Sequence, residues 1–555
     1  SSFEKLREKM MLTETVNMAH LGARAFEEIG GEVVQTTAFV RCANHIDGYK
    51  GTYCRLIEPT SQQGKEDMFL AGQNHYTANQ DDFAKIPGSL IAYWISPSWF
   101  EAFENNPSMR DIATLKKGTS TGDNQRFIRQ WQEVNYSKIL LTAHNPEEAE
   151  KSNKKWFPIN GGGECRKWYG NRTDVVNWEA NGAEMKALAT KLNHGGHWSR
   201  YIINPDRFFT DSIGWSAIST SRISARYIGY GFAFSSAAME AFEYDLKYLL
   251  ALINSAVASD ILKLLAPTIN FGVEQVGKIP VKIQKKNQIE RITDENIETS
   301  KSDWDSFETS WDFTVHPLVR CKSFSPEEVA EDAKHNIVDM NYVKEAVKRW
   351  SNECYLRFQK LKENEEELNR IFIDIYGLQD ELTPEVEDKD VTVHRVFENR
   401  DEVPDSMKNS NYTRTYRDEI VSLLSYAVGC MFGRYSTYKD GLLFAGEPYS
   451  LQAFADKLND RPGTVSAEEL ERAYRNEGVV VDEMFFPDED NVIPITDEEY
   501  LDDDIVARLC DWLKAVYGAA TLEENLNFIA KALGNKGSTS REVIRNYFVN
   551  DFFKD

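Results

Sequence analysis

The sequence predicts a multidomain fold: α/β at its start, mixed α+β through its middle, and mainly helical over its last 270 residues. Three observations lead there. Residues 21–40, LGARAFEEIGGEVVQTTAFV, cross Gly30-Gly31 from a helix-like opening into Val33, Val34, Thr36, Thr37, Phe39 and Val40, the β-branched and aromatic composition of a strand. Residues 115–285 hold short strand patterns, glycine turns and six tryptophans: Trp131, Trp156, Trp168, Trp178, Trp198 and Trp215. Beyond 286 the chain turns acidic and helical. At 555 residues it is too long for one ordinary core, and two to four domains are expected.

Taken in order, residues 1–58 read as helix, strand, turn, strand, strand. Phe3-Glu4-Lys5-Leu6-Arg7 opens an amphipathic helix to about Met11, and strands are expected at Thr15–Leu21, Val33–Arg41 and Thr52–Ile57. The apolar run Leu90-Ile91-Ala92-Tyr93-Trp94-Ile95 before Pro97 reads as a further strand. Leu246, Leu249, Leu250, Ile253, Val257, Ile261 and Leu264 recur at helical spacing and predict one helix over 245–265, ended by Pro267. That leucine stripe is a core face rather than a cofactor box. A strand-like tail, GKIPVKI, follows at 277–283. Ser325-Pro326-Glu327-Glu328 is a helix start with a capping side chain and a first-turn proline. Long, charge-laced helix is predicted at 340–376, a linker at 383–404, and helices at 413–432, 465–476, 502–517, 521–533 and 539–552. The finish, NYFVNDFFKD, is apolar for a chain end.

Composition narrows the function classes. No apolar run approaches the roughly 20 residues of a membrane helix, and nothing near the start resembles a signal peptide. Seven scattered cysteines without a CxxC pair speak against a disulfide framework or zinc ribbon and for a reducing cytoplasm. The net charge of −24 is uneven: residues 1–300 hold 34 Lys+Arg against 35 Asp+Glu, and the remaining 255 hold 30 against 53. The acidic half is therefore not where a polyanion is expected to bind. Residues 151–200 carry nine basic side chains and four acidic ones.

Chemistry-bearing motifs are few. Gly161-Gly162-Gly163 and Gly229-x-Gly231 do not complete GxGxxG, because Arg166 and Phe234 stand at the third position, and structural turns explain both. His194-Gly-Gly-His197 offers too few ligands for zinc, and no GxSxG is present. The positive signals favour nucleic acid. KKGTSTGDNQRF, from Lys116 to Phe127, puts two lysines, hydroxyls, glycines, an amide and an arginine in one loop, suited to phosphate contact. It reads equally as a solvated turn before a helix Asn124–Trp131 capped by Asp123 or Asn124. Lys154-Lys155-Trp156 and Glu164-Cys165-Arg166-Lys167-Trp168-Tyr169 interleave basic and aromatic residues, as phosphate contact plus base stacking requires. The competing reading makes Trp156, Trp168 and Tyr169 core and the charges solvated. Ser219-Thr220-Ser221-Arg222-Ile223-Ser224-Ala225-Arg226 is a weaker basic patch that also fits a surface strand.

These residues resemble a known family. MLTETVNMAHLGARAFEEIGGEVVQTTAFV is similar to the segment just past the catalytic loop of adenine-specific DNA methyltransferases, above all the large methylase of BREX and phage-growth-limitation defence systems, the PglX type. GTYCRLIEP, KKGTSTGDNQRFIRQW, GGGECRKWYGN and LLALINSAVA…LLAPTINFGVEQVGKIPV match the same family, and ELNRIFIDIYGL resembles a helix that often follows target-recognition domains. The resemblance implies a Rossmann-like sheet binding S-adenosylmethionine and an Asn-Pro-Pro-Tyr/Phe loop holding a flipped adenine. Asn106-Pro107-Ser108, Asn145-Pro146-Glu147 and Asn204-Pro205-Asp206 all depart from that loop, and the glycine-rich cofactor motif is missing. Both are expected upstream of Ser1, with the chain a fragment and no catalytic residue carried over.

The resemblance thus implies the C-terminal edge of a methyltransferase domain and connector at 1–114 and a target-recognition domain at 115–285. A helical arm at 286–382, the linker at 383–404 and an acidic helical domain at 405–555 complete it. Duplex DNA is the expected partner, with other phage-defence proteins at the acidic helices and no membrane. The DNA contacts expected are Lys116, Lys117, Thr121, Asn124, Arg126, Lys154, Lys155, Arg166, Lys167, Trp168, Arg222 and Arg226. Lys and Arg would bind phosphate, Asn124 or Arg166 would read bases, and Trp168 would stack. A non-catalytic DNA-specificity adaptor for a separate methylase or nuclease is the alternative, and a protein-binding scaffold is a third.

Overall fold

A computed structural model of the chain describes residues 3–27, 34–218, 222–265, 270–321, 341–458, 485–488, 491–534 and 536–555. The Gly30-Gly31 break with Val33, the Ser219–Ser221 part of the third patch, Pro267, the helix start at Ser325 and the helix at 465–476 lie outside the described residues. The fold is mixed α/β with several small sheets. It divides into two compact units: residues 1–115, 255–286 and 369–383 form one, and residues 116–254, 287–368 and 384–555 the other.

The smaller unit is built on four strands, β1 (Glu14–Gly22), β2 (Thr36–Cys42), β3 (Lys50–Arg55) and β4 (His75–Asn79), in the order β2-β1-β3-β4. The β-branched and aromatic runs form the strands expected of them. β1 pairs antiparallel with β2 and parallel with β3, and β3 pairs antiparallel with β4. β4 was not among the strands expected; it is an edge strand, which pairs through its backbone on one side only. Residues 90–95 are not a strand. Gly88 and Ser89 take positive φ, and the run that follows plugs the core, where Tyr93 stacks on Tyr53 at 4.8 Å beside Phe83 and Phe100. The 277–283 tail likewise forms no strand, only a single bridge between Ser108 and Pro280. Lys65 is buried and donates from Nζ to the Leu21 and Leu56 carbonyls at 2.7 and 2.6 Å, satisfying chain ends that the sheet leaves open.

In the larger unit β5 (Thr114–Lys117), the strand at whose end it begins, β6 (Ile128–Gln130), β7 (Trp156–Asn160), β8 (Asp174–Asn177), β9 (Ser212–Ser216), β10 (Ala225–Tyr227), β11 (Ala233–Phe234) and β12 (Ala238–Phe242) make two sheets. Their orders are β10-β9-β12-β5 and β11-β7-β8-β6. The aromatic texture of the sequence is their core: Phe157, Trp178, Phe208, Phe209, Phe234 and Phe242 are buried together. The helix expected over 245–265 is two helices, Leu246–Asn254 and Ala256–Leu265. Asn254 turns its side chain to the backbone of Ala225, donating to its carbonyl and accepting from its amide, while Ser255 Oγ accepts from Ala258 N and starts the next helix.

The helices expected later in the chain are present at Val343–Tyr376, Tyr416–Met431, Ile505–Tyr517, Leu522–Leu533 and Ser540–Asn550. They enclose Trp350, Leu423, Leu424, Trp512, Leu513, Ile544 and Phe548. The apolar finish belongs to this core, since Tyr547 and Phe548 are buried and Phe552 packs against them. Residues 383–404, expected as a linker, instead bury Val391, Thr392 and Val393 and carry β13 (Arg395–Phe397), which pairs with β14 (Thr413–Thr415). Among the described residues no single helix is long and apolar enough to cross a membrane.

Candidate nucleic-acid interface

The loop from Lys116 to Phe127 is fixed by its backbone. Gly118 passes so close to β11 and the turn after it that a Cβ would lie 2.1 Å from the Ser235 carbonyl. Its own amide donates to Ala238 O, and Thr119 N donates to Phe234 O. Ser120 N and Thr119 Oγ1 both donate to Tyr201 O, and Asn204 Nδ2 donates to Lys117 O. The helix expected at 124–131 is one turn, Asn124–Phe127, capped by the Asp123 carboxylate as foreseen and followed directly by β6. Thr121 is buried and donates to Asn124 Oδ1, so its hydroxyl is engaged locally. Lys117, Asn124 and Arg126 are exposed and Lys116 half-buried, and neither lysine makes an ion pair among the described residues. Arg126 Nε donates to Glu184 at 2.8 Å across an exposed pair.

The second stretch divides. Lys154 and Lys155 remain at the surface, with Lys154 donating to Ser137 O and Lys155 3.7 Å from Glu179. Arg166, Lys167 and Trp168, expected against DNA, point inward. Arg166 is 3 % exposed; its Nη2 meets Asp303 at 2.8 Å and its Nε donates to Tyr169 O. Lys167 pairs with Glu365, and Trp168 Nε1 donates to the same carboxylate at 2.7 Å. The cause lies in the backbone: Trp168 N donates to Ala225 O and Tyr227 N to Trp168 O, so this turn is stitched along β10. Arg226 is wholly buried, donating to the Arg166 and Gly162 carbonyls. The core reading of Trp168 and Tyr169 therefore prevails, but the neighbouring charges are internally paired rather than solvated. Arg222 stays half-exposed, 3.8 Å from Asp390.

Sequence reasoning missed Lys191 and Arg200. Both are exposed and flank the His194–His197 turn, where His197 caps the short helical turn Trp198–Arg200. The fold brings them to the 116–126 loop: Tyr201 O anchors Thr119 and Ser120, and a Cβ on Gly122 would lie 2.8 Å from Leu192 at the end of the helix Glu179–Leu192. Glu184, the partner of Arg126, stands on that same helix about 12 Å before Leu192 at 1.5 Å per residue. Lys117, Arg126, Lys191 and Arg200 thus stand exposed on segments that these contacts join. The Arg126–Glu184 ion pair is exposed and weak, on the order of 1 kcal/mol or less, and exchangeable for phosphate. The lysine and arginine bracketing the His194-Gly-Gly-His197 turn were the signal available in sequence.

In the larger unit Glu240 is buried on β12, accepting from Asn160 and Ser212 at 2.8 and 2.9 Å, and burial pushes its carboxyl up to about 8 despite those bonds and nearby Arg226. Stability tied to its neutral form is complete below its ordinary 4.5 and is lost as pH rises through about 8. Glu240→Gln is expected to flatten the loss of stability between pH 5 and 8, which on this shift is on the order of several kcal/mol. Urea midpoints across that range read it, and an unchanged pH slope in the variant contradicts it.

Comparison with known proteins gives two curated relatives over the whole chain. Adenine-specific methyltransferase PglX of Lacticaseibacillus casei (strain Zhang) is 40 % identical over 568 residues, and adenine-specific methyltransferase BrxX of Escherichia coli O9:H4 (strain HS) is 33 % identical over 574. The chain is a relative of the PglX and BrxX methyltransferases. The likeness covers 100 % of this chain and 42 % of each of those proteins. Among solved structures, the type IIL restriction-modification enzyme MmeI in complex with DNA aligns at a TM-score of 0.35 and 10 % identity, over 67 % of this chain and 44 % of that one. No protein-family model matches.

PglX and BrxX are named as methyltransferases, which points to a methyl donor such as S-adenosylmethionine. In the smaller unit β3 is followed by an α-helix, Gln62–Leu70, and the connection, Leu56-Ile57-Glu58-Pro59-Thr60-Ser61, holds no glycine to let backbone approach a ligand, so this strand-to-helix turn does not fit that cofactor.

Proposed function

We propose that this chain supplies the DNA grip of an adenine-specific DNA methyltransferase of the PglX type, acting in BREX-like phage defence. The carrying observation is the surface formed by Lys117, Arg126, Lys191 and Arg200 on a scaffold pinned at Thr119, Ser120 and Gly122. Its exposed side chains suit phosphate contact, and Asn124 beside them can read a base edge. The 40 % identity to PglX over the whole chain supports the same reading.

In the whole enzyme, methyl would pass from S-adenosylmethionine to the N6 of an adenine flipped out of the duplex, and lost stacking must be offset by contacts elsewhere. The surface described above would supply those contacts. β2 is an edge of its sheet among the described residues, with Phe39 52 % and Val40 60 % exposed, which suits pairing with further strands of a methylase sheet. The acidic helical part would serve partner proteins of the defence system. Fluorescence anisotropy with a labelled duplex of about 30 base pairs at low salt is expected to show saturable binding in the micromolar range, as non-specific duplex contact gives. No binding at a hundredfold higher protein concentration overturns the reading.

A further inference from the structure

We propose that His45, Asp47 and Asp81 bind a divalent transition-metal ion at the edge of the β1–β4 sheet, with Glu14 orienting the imidazole from behind. The site lies wholly in the smaller unit and does not depend on the DNA reading.

One ligand atom from each of the three side chains falls within 4.8 Å of the others. His45 Nε2 is 3.2 Å from Asp81 Oδ1, and His45 Nδ1 is 3.0 Å from Glu14 Oε2. Glu14 opens β1 and is 1 % exposed; its Oε2 also accepts from Ile46 N at 3.0 Å, while its buried Oε1 has no hydrogen-bond partner. A buried carboxylate with an unanswered oxygen demands positive charge nearby. Arg41 lies within electrostatic reach of Glu14, but its guanidinium hydrogen bonds go to oxygens of Met10, Thr13 and Thr15 and none reaches Oε1.

The imidazole sharpens the demand. A neutral ring has one N–H, and a carboxylate offers only acceptors. Gln80 Nε2 lies 3.3 Å from Nδ1, but its two hydrogens have Thr13 O at 2.9 Å and Met11 O at 3.4 Å as acceptors, which leaves Nδ1–H for Glu14. Nε2 then turns a lone pair toward Asp81, two acceptors face to face. A cation between them removes the conflict. Asp47, which makes no hydrogen bond or ion pair among the described residues, supplies a third ligand. A carboxylate behind a metal-bound histidine is the arrangement that fixes ring tautomer and raises ligand basicity.

One imidazole with two carboxylates suits Mn²⁺ or Zn²⁺ rather than Ca²⁺, which takes oxygen ligands. Three protein ligands leave further positions to water. The ion would clip the β2–β3 connection to the turn Gln80–Lys85 that follows β4.

The test is Mn²⁺ titration of the EDTA-stripped 555-residue chain, followed by loss of the free-ion electron paramagnetic resonance signal. One equivalent is expected to bind. His45→Ala and Asp81→Asn, both at exposed or half-exposed positions, should each weaken binding at least tenfold with circular dichroism unchanged. Glu14→Gln, which keeps the three ligands, should weaken it roughly 10- to 100-fold. Should Glu14→Gln fail to fold, the other two variants decide. Substoichiometric binding by the wild-type chain, or His45→Ala binding as the wild type does, overturns the proposal.

Discussion

Asp303→Ala is expected to destabilise the larger unit by about 3–5 kcal/mol, the cost of leaving buried charge without its partner. Asp303 is fully buried at the end of the helix Lys286–Trp304, and three segments distant in sequence converge on it. Arg166 reaches Oδ2 at 2.8 Å, Arg357 reaches Oδ1 at 3.6 Å, and His394 donates from its ring at 2.9 Å and from its backbone amide at 3.0 Å. Burial alone would raise this carboxyl's pKa; His394, Arg166 and Arg357 overcome it and hold the group well below the usual carboxylate range. Stability held this way is present above the ordinary carboxylate pKa and is lost on acidification below it. Alanine strands the Arg166 guanidinium at 3 % exposure, whereas Asp303→Asn keeps an acceptor and is expected to cost less. Urea unfolding followed by tryptophan fluorescence reads both. A loss under about 1 kcal/mol for alanine contradicts the role assigned to Asp303.

Removing the surface charges is expected to leave the fold intact and abolish most DNA affinity. Lys117, Arg126, Lys191 and Arg200 are exposed; Arg126 forfeits the surface pair with Glu184 and its place over the Phe127 ring, and Arg200 a hydrogen bond to Asn193. The Lys117→Ala/Arg126→Ala/Lys191→Ala/Arg200→Ala variant should therefore melt within about 1–2 kcal/mol of the parent. Each phosphate contact removed lowers the salt slope of binding by about 0.9, so four contacts are worth about 3.6 in log–log slope. Unchanged affinity at low salt would place the grip elsewhere on the molecule.

β2 was legible in the sequence from its β-branched and aromatic run Thr36-Thr37-Ala38-Phe39-Val40, and β1 and β3 from shorter signals, Thr15-Val16 and Thr52-Tyr53. β4 was not, since Tyr76 and Ala78 alternate weakly in a polar edge. The run 90–95 carries no period that separates strand from core plug, and only the left-handed turn at Gly88-Ser89 decides it. The break at Asn254 rests on a side chain reaching Ala225, a tertiary contact that leaves the leucine spacing undisturbed.

For the site, the sequence pointed to the 116–126 loop as a candidate and to the resemblance with the PglX type. Arg166-Lys167-Trp168 looked like a phosphate-and-stacking motif because its partners, Asp303 and Glu365, lie 137 and 198 residues further on. Basic-aromatic clustering is the same pattern whether the charges meet phosphate or buried carboxylate. Lys191 and Arg200 escaped notice because the loop they join stands some 70 residues earlier in the chain.

The most direct test of the account is the dependence of duplex affinity on salt for three proteins measured side by side. The wild-type chain, the four-residue surface variant and Lys167→Met separate surface from interior. The account predicts a slope shallower by about 3.6 for the surface variant and a slope equal to wild type for Lys167→Met, whose charge meets Glu365 inside the fold. A reduced slope in Lys167→Met together with an unchanged slope in the surface variant would contradict it.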